Sequence, residues 1–192
     1  MSVAYKLPIT AAEYLEGERG ADVRHEFLDG RIYDLCGDSL RHNQIAGETA
    51  LSVKAHLCSG PCRTFIESVK VQICDDLGEA FYYPDVFVTC EPADDDSHVV
   101  RHPKLIIEVL SPSTAAYDRG EKFDHYTHLP SLKAYVLVDC NRENVVLYTP
   151  GEDETWVRRV HEAGDTVRIS VIEVELPVGE IYAGWEEFRS VG

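Results

Sequence analysis

The chain has 192 residues, 44% hydrophobic and 27% charged, which suits one globular domain over residues 1–192 and excludes a disordered chain. Acidic residues outnumber basic ones by 34 to 18, a formal charge of −16. That excludes a non-specific nucleic-acid coat protein but not an enzyme that meets nucleic acid at one metal-neutralised site. No apolar run approaches the ~20 residues of a membrane span. The first six residues, Met1 to Lys6, lack the apolar stretch of a secretory signal, so a cytoplasmic location is expected.

Thr10-Ala11-Ala12-Glu13 is a capping box and predicts a short helix to about Glu16. Arg24 to Leu28 and Arg31 to Leu35 flank Asp29-Gly30, the pattern of a hairpin with a type I′ turn. Ser39 is placed to cap a helix over Leu40 to Leu57, whose Ile45, Thr49, Val53 and Leu57 share one face. Arg63 to Cys74 reads as one long strand, closed by a turn at Asp75, Asp76 and Gly78. Val86-Phe87-Val88 and Leu105 to Leu110 read as strands buried on both faces, separated by a polar loop from Glu91 to Arg101. Pro112 ends the second of these, and a helix is expected from Ala115 to His128. Tyr135 to Val138 is a third buried strand. Shorter antiparallel strands follow at 145–148, 156–160 and 167–171, with a closing helix around Ile181 to Phe188. The central order is helix, three strands, helix, strand. It predicts an α/β (α+β) fold: a mixed sheet with helices against it and hairpins at both ends.

Two carboxylates stand out. Asp85 immediately precedes an apolar strand, and Glu108 interrupts one. A carboxylate there must meet solvent, a cation or a cleft, because an unpaired buried charge is expensive. Each could instead lie on a wet sheet face or pair with an arginine. On the following helix Asp118, Lys122 and Tyr126 recur every four residues, so they share a face. That face reads either as a solvated stripe or as one holding the Lys122 ammonium near both carboxylates. Glu67 shares a strand face with Val69 and Val71 and reads as a paired structural residue. The six cysteines include no C-x-x-C pair, and they read first as reduced, small hydrophobes, with zinc or a disulfide as lesser alternatives. Likewise His125 with His128, and His98 with His102, have spacing that permits zinc but no cysteine at a partnering interval.

Three segments carry a resemblance: Pro84-Asp85, Ile107-Glu108-Val109-Leu110-Ser111-Pro112-Ser113-Thr114, and Asp118-x-Gly120-Glu121-Lys122-x-x-x-Tyr126. Together they resemble the Uma-two-type restriction endonuclease family of the PD-(D/E)xK nuclease superfamily. The hairpin Glu26 to Gly30, the start of the helix at His42, and Tyr135 to Asp139 fit as well, so the likeness spans about residues 8 to 188. It implies a restriction endonuclease-like core (αβββαβ) and metal-dependent hydrolysis of DNA phosphodiester bonds, by a protein that cuts as a homodimer. The superfamily pattern places lysine two residues after the acidic one, where this chain has Leu110. The resemblance therefore moves that role to Lys122. It further implies Mg²⁺ or Mn²⁺ held by Asp85, Glu108 and the backbone carbonyl of Val109, with Glu26 as an auxiliary ligand and His42 as a phosphate contact. The rival expectation is a non-catalytic or regulatory module that keeps the fold, or an acidic protein-interaction domain. A basic rim around the carboxylates favours the nuclease, an acidic rim the rival.

Overall fold

The computed structural model describes residues 8–35, 37–57, 60–76, 78–92, 97–153 and 155–185. Helix α1 (Ala11–Glu18) begins at the expected capping box: Thr10 Oγ1 accepts from the Glu13 N–H, and Glu13 accepts from the Thr10 N–H. Strands β1 (His25–Leu28) and β2 (Arg31–Asp34) form the expected hairpin. Its turn residues Asp29 and Gly30 have φ of 46° and 82°, the two left-handed positions a type I′ turn requires. Ser39 caps helix α2 (Leu40–His56), which buries Ile45, Ala46, Thr49 and Val53.

The expected strand from Arg63 to Cys74 is in fact two strands, β3 (Arg63–Ile66) and β4 (Lys70–Asp75), in different sheets. The break has a local cause. Glu67 takes φ 42°, its carbonyl is gripped by the Arg24 guanidinium, and its N–H turns to the Pro84 and Asp85 carbonyls. Strand β5 (Gly78–Tyr82) was not expected; it pairs with β4 and with β1, so the N-terminal hairpin becomes part of a five-stranded sheet ordered β2-β1-β5-β4-β7. Strand β7 (Val99–Val100) lies inside the expected polar loop.

The central sheet is ordered β11-β10-β9-β8-β6-β3. Its middle strands are β6 (Val86–Thr89), β8 (Pro103–Leu110) and β9 (Ala134–Asp139), with β8 and β9 parallel and the other pairs antiparallel. β10 (Asn144–Pro150) and β11 (Trp156–Glu162) extend it. The strand expected at 167–171 is β12 (Thr166–Ile169); it pairs with β13 (Val174–Pro177), which was not expected, and α5 (Val178–Ile181) follows. Of the closing helix expected at 181–188, residues 186–188 lie outside the described residues.

The period of two in β8 sends its residues to two different cores. Leu105, Ile107 and Val109 pack with α2 residues Ile45 and Val53 and with α5. Ile106 and Leu110 pack with Val71, Ile73 and Tyr82 of the second sheet and with Tyr126. Glu108 stands between Ile106 and Leu110 in that alternation, so it faces the seam between the two sheets. The helix expected over residues 115–128 is broken at Gly120 (φ −117°, ψ −100°) into α3 (Ala115–Arg119) and α4 (Glu121–Thr127). Among the described residues no helix is long and apolar enough to cross a membrane.

The reading of the cysteines needs one correction. Cys62 and Cys90 form a disulfide. They flank the paired ends of β3 and β6, where Arg63 faces Thr89, so strand register brings together two thiols that are distant in sequence. The bridge closes 28 residues. A loop of that length corresponds to about 3–4 kcal/mol of chain entropy. Reduction, or Cys62→Ser, is expected to lower unfolding stability by about that amount in urea titrations with and without reductant. Cys74 and Cys140 are free thiols.

Candidate active site

Helix α2, the β1 strand, the start of β6, the end of β8 and the α3–α4 pair converge on a cavity of about 190 Å³. Its lining includes Glu26, His42, Asp85, Glu108, Val109 and Lys122. Every residue singled out in the sequence for this chemistry therefore lies in one place.

Lys122 sits at the floor, 6% exposed. Its Nζ is 2.9 Å from Glu108 Oε1, 3.2 Å from Glu26 Oε1 and 3.9 Å from Asp118 Oδ1, and it lies over the Tyr82 ring. The helix stripe of Asp118, Lys122 and Tyr126 thus faces inward despite the break at Gly120. All three are buried. The Tyr126 hydroxyl donates to Glu108 Oε1 at 3.1 Å, which holds that carboxylate in one rotamer. Asp85 is fixed from the other side: the Val109 N–H donates to its Oδ2 at 2.6 Å, while the Asp85 N–H reaches Glu108 Oε2 at 3.4 Å. Each carboxylate thus accepts from the backbone of the other segment, Asp85 from Val109 and Glu108 from Asp85.

His42 occupies the first turn of α2 and is 4% exposed. Its Nε2 is 2.8 Å from the Val109 carbonyl oxygen and 3.4 Å from Asp85 Oδ2, and its Nδ1 is 3.7 Å from Asp38 Oδ2. Glu26, 3% exposed, accepts from the Tyr83 N–H as well as meeting Lys122.

Burial sets the electrostatics. It pushes the Glu108 carboxyl up to about 8; the Lys122 ammonium opposes the rise, and Asp85 and Asp118 add to it. Burial also raises Glu26 and Asp118, again against Lys122. For Lys122 itself burial favours the neutral amine, but Glu108 and Glu26 override it and hold the ammonium well above its ordinary value. Burial likewise disfavours a charged His42, yet its bonds to Asp85, the Asp38 charge and the Val109 carbonyl raise it to about 9. One fixed positive charge, shared among clustered carboxylates, is an arrangement seen where charge has to be handled during a reaction.

Asp38 and Asp118 were not singled out as site residues. Asp118 was visible on the helix stripe. Asp38 carried no signal beyond standing four residues before His42. The mouth of the cavity carries Arg24 but also Asp34, Asp38 and Glu67, so its rim is acidic.

The chain matches the model of the Uma2 family, described as "Putative restriction endonuclease", over residues 11–179. It is 36% identical over 177 residues to the uncharacterized protein slr1290 of Synechocystis sp., covering 92% of each chain. A second uncharacterized Synechocystis protein, sll1609, is 32% identical over 160 residues, covering 82% of this chain and 89% of its own. In fold the chain is similar to the crystal structure of "a putative nuclease belonging to DUF820" from Anabaena variabilis. The TM-score there is 0.75 at 19% identity, over 92% of this chain and 98% of that one.

Proposed function

The chain belongs to the Uma2 family, and from that premise we propose that it hydrolyses DNA phosphodiester bonds with a divalent cation. The observation that carries the reading is the Lys122 ammonium between Glu108 and Glu26 at the floor of a cavity that Asp85 also lines. A scaffold has no need to bury one cation among three or more carboxylates at an open cleft, because the desolvation cost exceeds what hydrophobic packing would incur.

The donor set fits a hard cation. Asp85, Glu108 and the Val109 carbonyl offer oxygens only, as Mg²⁺ or Mn²⁺ prefers, and they would hold it. When bound, the cation neutralises charge on the scissile phosphate and makes a water easier to ionise. The remaining work falls to the chain itself. Lys122 supplies a fixed positive charge toward the oxygens that gain charge as the phosphate becomes five-coordinate. Tyr126 and the Val109 N–H keep the two carboxylates in place without further reorganisation. The same reading includes a homodimer acting in the cytoplasm, with Glu26 and His42 in supporting roles.

Two observations favour the second reading, a non-catalytic or regulatory module that retains the fold. The acidic rim and the net charge of −16 repel a polyanion at long range. A cleavage assay separates the two. With Mg²⁺ or Mn²⁺ the native protein is expected to cut DNA, and Asp85→Ala to cut at least about 10²-fold more slowly. Equal rates for both proteins, or no metal-dependent cutting by either, would leave the regulatory module as the better reading.

A further inference from the structure

Strand β11 is the outermost strand of the central sheet, and its far edge pairs with no strand among the described residues. Among those residues every other edge strand, in either large sheet or in the β12–β13 pair, runs for four residues or fewer. β11 runs for seven. At about 3.4 Å per residue that is a free edge of roughly 24 Å. A long free edge is a template for another strand, and sheets usually guard it by short length, proline, lysine or a bulge. β11 reads Trp156-Val157-Arg158-Arg159-Val160-His161-Glu162, without proline or lysine, and its register with β10 runs unbroken from Asn144 to Pro150. Val157 and Val160 are 40% and 43% exposed, one on each face of the strand. Arg158, Arg159 and Glu162 are exposed as well, so the edge carries charges of both signs beside exposed apolar side chains.

We propose that β11 is an interface on which a second copy of the chain adds its own β11, antiparallel about a two-fold axis at Val160. The nuclease reading includes a homodimer but no surface for it; this assignment rests on the strand alone and is tested apart from cleavage. Symmetry leaves few arrangements. A two-fold that joins two identical edges into one continuous sheet is perpendicular to it, so each residue keeps its face and meets one on that same face. One residue of β11 therefore lies on the axis, opposite itself. An axis at Arg158 or Arg159 sets two guanidinium groups against each other, and one at Glu162 sets two carboxylates, which is unfavourable for directly opposed positions. An axis at Trp156 or Val157 leaves most of the strand unpaired, and one at His161 puts Val160 against a carboxylate. With the axis at Val160 the two valines meet at the centre, and Arg158 of each copy stands opposite Glu162 of the other. Arg159 then faces His161 of the second copy. Two chains of charge −16 repel at long range, so a contact between them needs local compensation of this kind. The pairing joins two six-stranded sheets into one. It leaves each cleft complete within its own chain, since β8 lies three strands in from β11.

Sedimentation velocity of the full-length protein at about 1–200 µM, the range in which a small strand-to-strand contact associates, tests the assignment. A monomer–dimer equilibrium is expected. Arg158→Glu and Glu162→Arg should each weaken the dimer at least about tenfold, because each turns two opposed pairs from attractive to repulsive. The double variant, Arg158→Glu with Glu162→Arg, restores both pairs in reverse and should recover the native dissociation constant to within about threefold. Val160→Lys sets two ammonium groups on the axis and should leave a monomer. All three positions are exposed, so these changes leave the core as it is. A native protein that stays monomeric throughout the range, single variants that dimerise like the native protein, or a double variant no better than the singles would each overturn the proposal. A monomer that cuts DNA would refute this interface and leave the nuclease reading standing. A dimer with charge-swap rescue that cuts no DNA would do the reverse.

Discussion

Lys122→Met is expected to abolish cleavage, by about 10² or more, and to lower unfolding stability by about 3–5 kcal/mol. The activity loss follows from removing the fixed charge aimed at the reacting phosphate, since one such contact is worth a few kcal/mol in the transition state. The stability loss has a different origin. Glu108 and Glu26 are each nearly inaccessible and lean on the same ammonium, at 2.9 and 3.2 Å. Taking it away leaves the buried carboxyls with neutral donors only and no countercharge, and breaking a buried pair costs far more than the pair contributes. Methionine keeps an apolar stem of similar length, so the change is mainly one of charge and not of volume. The two effects can be separated with a second substitution. Glu26→Gln in the Lys122→Met background removes one stranded carboxyl and should restore part of the stability while restoring no cleavage. Lys122→Arg should rescue poorly, because a planar fork cannot take the place of a compact ammonium between two carboxylates. Cleavage by Lys122→Met at the native rate would remove the role given to this residue.

How far these residues could be read in advance depended on whether the signal was local. The Thr10–Glu13 box, the Ser39 cap and the Asp29-Gly30 turn depend on neighbours within three or four positions, and each formed where expected. The Glu108 interruption was legible because an acidic residue within an apolar strand costs too much to be incidental. The breaks at Glu67 and Gly120 were not legible. Glu67 turns because Arg24, forty-three residues earlier, holds its carbonyl, and no period within the strand reports that. Strand β5 was missed because its pairing with both β4 and the hairpin is long-range. The Cys62–Cys90 bridge depends on the β3–β6 register in the same way. Asp38 joins the site only because α2 sets His42 against β8, a packing fact with no sequence period.

Without metal, the protein should lose stability as pH rises from about 5 to 9, contrary to the gain that paired carboxylates usually give. Glu108 has its carboxyl pushed up to about 8 by burial, against an ordinary value of 4.5. Between those values the unfolded chain has released a proton that the folded chain keeps. The contribution is therefore complete below pH 4.5 and lost as pH climbs through 8. Glu26 and Asp118 are shifted in the same direction by burial, which steepens the fall. His42, raised to about 9 by Asp85 and Asp38 over the opposing effect of burial, contributes below its ordinary 6.5 and loses that contribution as pH passes 9. One group in this regime gives a slope of about 1.4 kcal/mol per pH unit, so a loss of several kcal/mol across the range is expected from urea unfolding in chelator. Saturating Mg²⁺ or Mn²⁺ should flatten the curve, since a cation on Glu108 favours the carboxylate and brings its folded value back down. Glu108→Gln in chelator should give a flatter curve than the native protein, because a neutral amide has no proton to release in this range. Metal-free stability that holds level or rises between pH 5 and 8 would show that Glu108 is ionised at the floor of the cavity without a metal. Lys122 alone would then be sufficient to neutralise the cluster.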